Sequence, residues 1–161
     1  MILGLAYDWD DRKGLNFFIE LSKNLSDDYI IVLVGTNERI DSLLPNKIIS
    51  IHKTNKIDEL VDIYSSADLF VNPTLEDNFP TVNIESLACG TPVLTFDTGG
   101  SPEIIDDTCG AVINKCDLLS LLDKISELSK KNIYSSDNCV KRAKAFDTNT
   151  KYDEYLKLYE E

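Results

Sequence analysis

The chain has 161 residues, the length of one ordinary domain, and its 43% hydrophobic content is enough to fill a core. A formal net charge of −12 argues against nucleic acid or an anionic membrane surface as the main partner. No run approaches the roughly 18 apolar residues of a membrane span, and the opening "MILGLAYDWDDRKG" lacks the basic start of a signal peptide.

In chain order, "ILGLAYD" predicts a first strand, and "GLNFFIELSKNL" a helix with Leu15, Phe18, Ile19 and Leu25 on one stripe. "YIIVLVG" is a nearly continuous apolar run ending at Gly35, the pattern of a strand covered on both faces. A short "RIDSLL" segment leads to the strand "KIISIH". "KIDELVDIYSSA" then repeats Ile57, Leu60, Val61 and Tyr64 at helical spacing. "DLFVNP" is the next strand, stopped by Pro73, and the helix "TVNIESLA" ends at Gly90 with Pro92 close behind. "PVLTFD" and "GAVIN" are two more strands. "DLLSLLDKISELSKK" is an amphipathic helix with Asp117 as its N-cap, and helices around "SDNCVKRAKAF" and "NTKYDEYLKLYEE" follow.

This alternation predicts one α/β domain over 1–161: a Rossmann-like parallel sheet of about six strands with helices on both faces. In such sheets ligands collect outside the carboxyl ends of the strands, at a switch point. Cys89, Cys109, Cys116 and Cys139 have no metal-ligand or CxxC spacing, and His52 is the single histidine. No metal site and no cofactor are therefore expected, and the thiols read as reduced in a cytoplasmic protein.

The residues that carry chemistry all follow strands. Arg12, Lys13 and Gly14 come after the first, and His52 and Lys53 after the third. "PTLEDNFP" follows the fourth and "DTGGSPE" the fifth. For a diphosphate, Arg12 and Lys13 offer two adjacent cations, while the helix starts at Pro80–Thr81 and at Pro102 offer unpaired N–H groups. Gly99 and Gly100 let a ligand approach the backbone. Alternatively, Arg12 and Lys13 are a solvated pair and the glycines serve only their turn. Glu85, one turn into its helix, can accept hydrogen bonds from two neighbouring hydroxyls, as on a ribose. Asp77 can reach hydroxyls of a sugar on the far side of the phosphates, or can simply favour the helix start. His52 and Lys53 can line a slot for a base.

"ADLFVNPTLEDNFPTVNIESLACGTPVLTFDTGGSPEII" resembles the central signature of the family 4 (group 1) glycosyltransferases of GT-B architecture: two acids separated by seven residues, a small-residue helix end, Pro-Val, and a Gly-Gly-x-x-Glu turn. "DDRKGLNFFIELSKNL" is similar to the family's Arg/Lys-Lys-Gly helix start, and "YDEYLKLYEE" to its last helix. The resemblance implies half of a GT-B fold: the donor-binding domain of a retaining enzyme that moves a sugar from a nucleotide-diphosphate sugar to a glycan or lipid-linked acceptor, without an obligatory metal. It places Lys13 and Arg12 on the diphosphate, Glu85 on the ribose and Asp77 on the transferred sugar. Asn78, Phe79, Pro80 and Thr81 would supply backbone contacts, and Gly99, Gly100 and Glu103 the wall near the nucleotide.

Two positions depart from the family pattern. Asp77 stands where Glu is usual, and Asp8 where many relatives carry Arg five residues before the phosphate-binding Lys. The resemblance also implies an N-terminal acceptor domain that this chain does not include. The expectation is then a fragment, or one partner of a split enzyme in polysaccharide or glycoconjugate synthesis, cytoplasmic or peripheral at the membrane. A nucleotide-binding module without turnover is the alternative. A sugar epimerase on a related scaffold is a third reading, weakened by the lack of a further acid–base cluster.

Overall fold

The computed structural model describes residues 1–131, 133–157 and 159. Six short apolar runs form the strands β1 (Ile2–Leu5), β2 (Ile31–Val34), β3 (Ile48–Ile51), β4 (Leu69–Asn72), β5 (Val93–Phe96) and β6 (Gly110–Ile113). They make one sheet in the order β3-β2-β1-β4-β5-β6, parallel throughout. Leu3 of β1 lies opposite Val32 on one side and Phe70 on the other.

The helices are α1 (Leu15–Asn24), α2 (Glu38–Asp41), α3 (Ile57–Ser66), α4 (Thr81–Ala88), α5 (Ser101–Ile104), α6 (Leu118–Lys130), α7 (Ser136–Lys144) and α8 (Thr148–Lys157). Strand side chains alternate between two cores, as the period of two requires. Ile2, Leu33, Val71, Leu94 and Phe96 meet Phe18 and Leu21 of α1, Ile40 of α2, and Leu121 and Ile125 of α6. On the other face Leu3, Val32, Phe70 and Val93 meet Tyr64 of α3, Leu87 of α4, Ile104 of α5 and Cys139 of α7. The central strands β2, β1, β4 and β5 are thus buried on both faces, which explains their unbroken apolar runs, while Ile49 of β3 and Val112 of β6 are exposed at the edges. Asp117 caps α6 as expected, accepting the Ser120 N–H at 2.9 Å.

One detail differs from the sequence reading, and two helix ends are more closely defined. In α3, Tyr64 is buried and Leu60 half-buried, but Ile57 is 80% exposed and Val61 is exposed as well. The edge strand β3 offers α3 no neighbouring helix on that flank, so only its Leu60–Ile63–Tyr64 side is covered. The helix start expected at Pro102 produces a single turn, α5, with Pro in its first two positions. In the last helix, α8 ends at Lys157, and Leu158, Glu160 and Glu161 lie outside the described residues. Among the described residues no helix is long and apolar enough to cross a membrane.

The strand order has one reversal. The chain runs outward from β1 through β2 to β3, then returns through α3 to place β4 on the other side of β1. The loops after β1 and β4 therefore diverge to opposite sides and leave a crevice at the carboxyl ends, the switch point where ligands bind in such sheets.

Candidate functional site at the carboxyl ends of β1 and β4

The loop after β1 is anchored by Trp9. Its indole N–H donates to the Val34 carbonyl at 2.9 Å, and its ring meets Phe18 edge-on at 5.4 Å. Asp10 then organises the approach to α1, accepting the Lys13 backbone N–H at 2.9 Å and Arg12 Nε at 2.8 Å. Hydrogen bonding from the Arg12 side chain holds the Asp10 carboxyl below the ordinary aspartate range.

This loop is laced to the one after β4. The Arg12 carbonyl accepts from the Leu75 N–H at 2.7 Å and from Thr74 Oγ1 at 3.1 Å. Gly14, at φ 77°, passes so close to Pro73 that a Cβ would lie 2.3 Å from the Pro73 carbonyl oxygen. The side-chain link is Lys13 Nζ to Asp77 Oδ2, 2.7 Å long across 64 residues of sequence. Asp77 also accepts the Phe79 N–H at 3.2 Å, which curls the loop toward the start of α4. Behind it, the loop after β5 gives a brace: Gly100 N–H donates to the Asn78 carbonyl at 2.8 Å.

Between the first two loops lies a hollow of about 330 Å³, whose walls include Asp8, Arg12, Lys13, Asp77, Phe79 and Thr81. Pro80 is the N-cap of α4; no side chain caps this helix and no acid stands in its first turn. Its N-terminal N–H groups and positive dipole end are thus available to an anion. At the base of the hollow Asn72, the last residue of β4, donates to Asn83 Oδ1 at 2.9 Å, tying strand to helix.

The two adjacent cations read from the sequence are not free charges. Arg12 is paired with Asp10 and Lys13 with Asp77, so each cation is neutralised by a neighbour. An anion would have to draw Lys13 away from Asp77, and Asp8 on the same wall adds a further negative charge.

Arg12, Lys13, Asp77, Phe79, Pro80 and Thr81 are brought together around the hollow. Asn78, Gly99 and Gly100 pack directly behind it. Glu85 stands one turn further along α4, exposed, with Oε2 accepting the Tyr64 hydroxyl at 3.1 Å. Like Asn78, Gly99, Gly100 and Glu85, the other three expected residues do not line the hollow. Exposed His52, at the edge of the sheet, bonds Asp41 Oδ2 at 2.6 Å, with Lys53 exposed beside it. Glu103 is exposed on α5, and its carbonyl accepts Arg142 Nη2 at 2.5 Å. Asp10 and Tyr64 were not expected in the site. Asp10, three residues before Lys13, has the spacing of a turn-forming acceptor; Tyr64 reads only as core.

The family model described as "Glycosyl transferases group 1" matches residues 2–131. The chain is 27% identical over 156 residues to the N,N'-diacetylbacillosaminyl-diphospho-undecaprenol alpha-1,3-N-acetylgalactosaminyltransferase of Campylobacter jejuni, an alignment spanning 92% of this chain and 42% of that protein. Sucrose-phosphate synthase from Thermosynechococcus elongatus superposes with a TM-score of 0.83 at 23% identity, over 99% of this chain and 44% of that one. HepE of Anabaena in complex with UDP-glucose gives a TM-score of 0.73 at 18% identity, over 90% of this chain and 43% of that one. The chain thus spans less than half the length of each of these three proteins.

Proposed function

The chain belongs to the group 1 glycosyltransferases, and on that premise we propose that it is the donor-binding domain of a retaining enzyme, with a nucleotide-diphosphate sugar seated in the β1/β4 crevice. One observation carries this reading: Lys13 and Asp77 meet at 2.7 Å at the switch point, beside the uncapped start of α4. The UDP-glucose bound to HepE supports the ligand class.

In this reading the diphosphate exchanges for Asp77 as the partner of Lys13 and lies against the first N–H groups of α4, with Arg12 assisting. The released Asp77 carboxylate then accepts hydrogen bonds from the sugar hydroxyls. Asn78, Phe79, Pro80 and Thr81 line the sugar and phosphates, and Gly99, Gly100 and Glu103 form the supporting wall. Glu85 holds the ribose, and His52 and Lys53 lie toward the base. As the bond from the anomeric carbon to the diphosphate breaks, negative charge grows on the leaving oxygen. Once Lys13 has exchanged partners on binding, cations and helix dipoles held at the diphosphate stabilise that charge as it develops, so the reading assigns this role to Lys13, Arg12 and α4 rather than to a metal ion. The acceptor, a glycan or a lipid-linked sugar as the name of the Campylobacter relative suggests, is held by a second domain that closes the cleft. The enzyme would work in glycoconjugate synthesis on the cytoplasmic side of the membrane.

Calorimetric titration with uridine and guanosine diphosphates tests the site. The wild-type chain should bind at least one of them, and Lys13→Ala should bind it roughly ten- to a hundredfold more weakly, as expected for loss of a charge-assisted contact. Binding of neither nucleotide, or equal binding by the variant, would refute the assignment.

A further inference from the structure

Glu85 is exposed, yet its carboxylate is held. Its partner Tyr64 is 1% exposed, and the Tyr64 hydroxyl reaches Glu85 Oε2 at 3.1 Å. The ring is fixed from several directions. It meets Phe70 of β4 edge-on at 5.5 Å and packs in the core shared by α3, α4 and α7. The Tyr64 carbonyl accepts Thr91 Oγ1 at 2.6 Å, fastening the end of α3 to the turn before β5. Burial, reinforced by the negative charge of Glu85, pushes the phenol well above its ordinary range, so it stays protonated and a donor at neutral pH.

Packing alone does not call for the hydroxyl. Phenylalanine would fill the same space without placing a polar atom in an apolar core, where a hydroxyl is costly unless bonded. The group emerges at a single carboxylate, and that carboxylate keeps the capacity to bind more. Each oxygen has two lone pairs, so with one used by Tyr64, Glu85 can still accept from two vicinal hydroxyls.

We propose that Tyr64 is a positioning residue that fixes the Glu85 carboxylate in the orientation needed to accept both ribose hydroxyls of a nucleoside diphosphate. This inference rests on the donor-site reading above and adds to it the source of its preference for ribose. Without the bond, Glu85 samples its rotamers freely and must be ordered at the moment of binding.

The test compares uridine or guanosine diphosphate, whichever the wild type binds, with its 2′,3′-dideoxy analogue, which lacks both hydroxyls and is the deoxy analogue of each comparison below. Wild type should favour the ribonucleotide by about tenfold. Tyr64→Phe should weaken ribonucleotide binding by about three- to tenfold while leaving the deoxy analogue within about twofold. Glu85→Gln should erode the same preference, and the double variant should lose little more than the worse single one, because the two groups act as one unit. An unchanged ribose preference in Tyr64→Phe, whatever happens to its melting temperature, overturns the inference and leaves the donor site standing. Equal wild-type affinity for both nucleotides overturns it through Glu85. If wild type binds neither nucleotide, the donor-site reading fails and this inference falls with it. A second measurement does not depend on the variant folding. Exchange of the Tyr64 hydroxyl proton, followed by NMR in the wild type, should slow with the ribonucleotide and not with its deoxy analogue; equal behaviour counts against the inference.

Discussion

The hollow at the amino ends of the strands, between Met1, Tyr29, Asp68, Leu69 and Leu128, measures about 430 Å³, against about 330 Å³ for the one at the carboxyl ends. Yet the smaller hollow gathers the residues of the proposed site, and the parallel sheet explains why. Every strand-to-helix loop empties at the carboxyl ends, where helices begin and present positive dipole ends and free N–H groups. At the amino ends the same helices finish, so α1 and α6 turn their carbonyl ends there, and Asp28 and Asp68 share the hollow with Lys130 and the N-terminal ammonium. The larger hollow also has simpler local bonding: the N-terminal ammonium pairs with Asp68, and the Tyr29 hydroxyl meets Ser129 Oγ at 2.7 Å. The carboxyl rim instead laces three loops together through backbone bonds and glycines. The proposal therefore follows the direction of the strands and not the volume of the hollow.

The sharpest way to break this contrast is to disturb one lace at each end. At the carboxyl rim, Gly99 sits at φ 51°, and a Cβ there would lie 1.7 Å from the Asp77 carbonyl oxygen. Gly99→Ala must displace the Asp77–Asn78 loop, and a loss of about 2–4 kcal/mol is expected from strain in a backbone that cannot yield locally. Nucleotide binding should fall with it. Ser129→Ala, at the amino hollow, removes two exposed hydroxyl bonds, to Tyr29 and to the Ser126 carbonyl, and should cost less than about 0.5 kcal/mol, with binding untouched. Urea denaturation of both variants checks this, and equal costs at the two ends would remove the distinction.

A smaller effect sharpens the electrostatic half of the comparison. The Asp10 carboxyl is held below its ordinary range, chiefly by Arg12. A depressed folded-state value means that the stabilisation is fully present above the unfolded value and is lost as pH falls through the folded one. The melting temperature of Asp10→Asn should therefore sit slightly below that of wild type near neutrality, and the gap should close as pH falls below roughly 4. A gap that stays constant down to strongly acidic pH would show that Asp10 acts by shape and not by charge.

Much of the rim was legible from sequence because its devices are local. Apolar runs of strand length, the stops at Gly90 and Pro92, and the Arg12-Lys13-Gly14 and Gly99-Gly100 turns each declare themselves within a few residues. The strand direction then collects them at one edge, with no long-range information needed. What stayed hidden was pairing between distant side chains. Asp10 and Asp77 neutralise Arg12 and Lys13, and nothing in "WDDRKG" specifies which acid will fold back on which cation. Tyr64 shows the same limit: its helical spacing marks it correctly as core, but only the packing of α3 against α4 reveals that its hydroxyl ends at Glu85. Ile57 and Val61 fall on the apolar pattern of α3 and remain exposed, because periodicity cannot tell a central helix from one at a sheet edge.

Chemical-shift mapping with isotopically labelled protein tests the choice between the two ends most directly. On titration with UDP-glucose or guanosine diphosphate, the backbone amides that move most should be those of residues 8–14 and 77–82, with Gly99 and Gly100 following through their bonds to Asp77 and Asn78. Shifts concentrated instead at Met1, Asp28, Asp68 and Leu128–Lys130, with the carboxyl rim silent, would place the ligand at the wrong end of the sheet and contradict the site proposed for this domain.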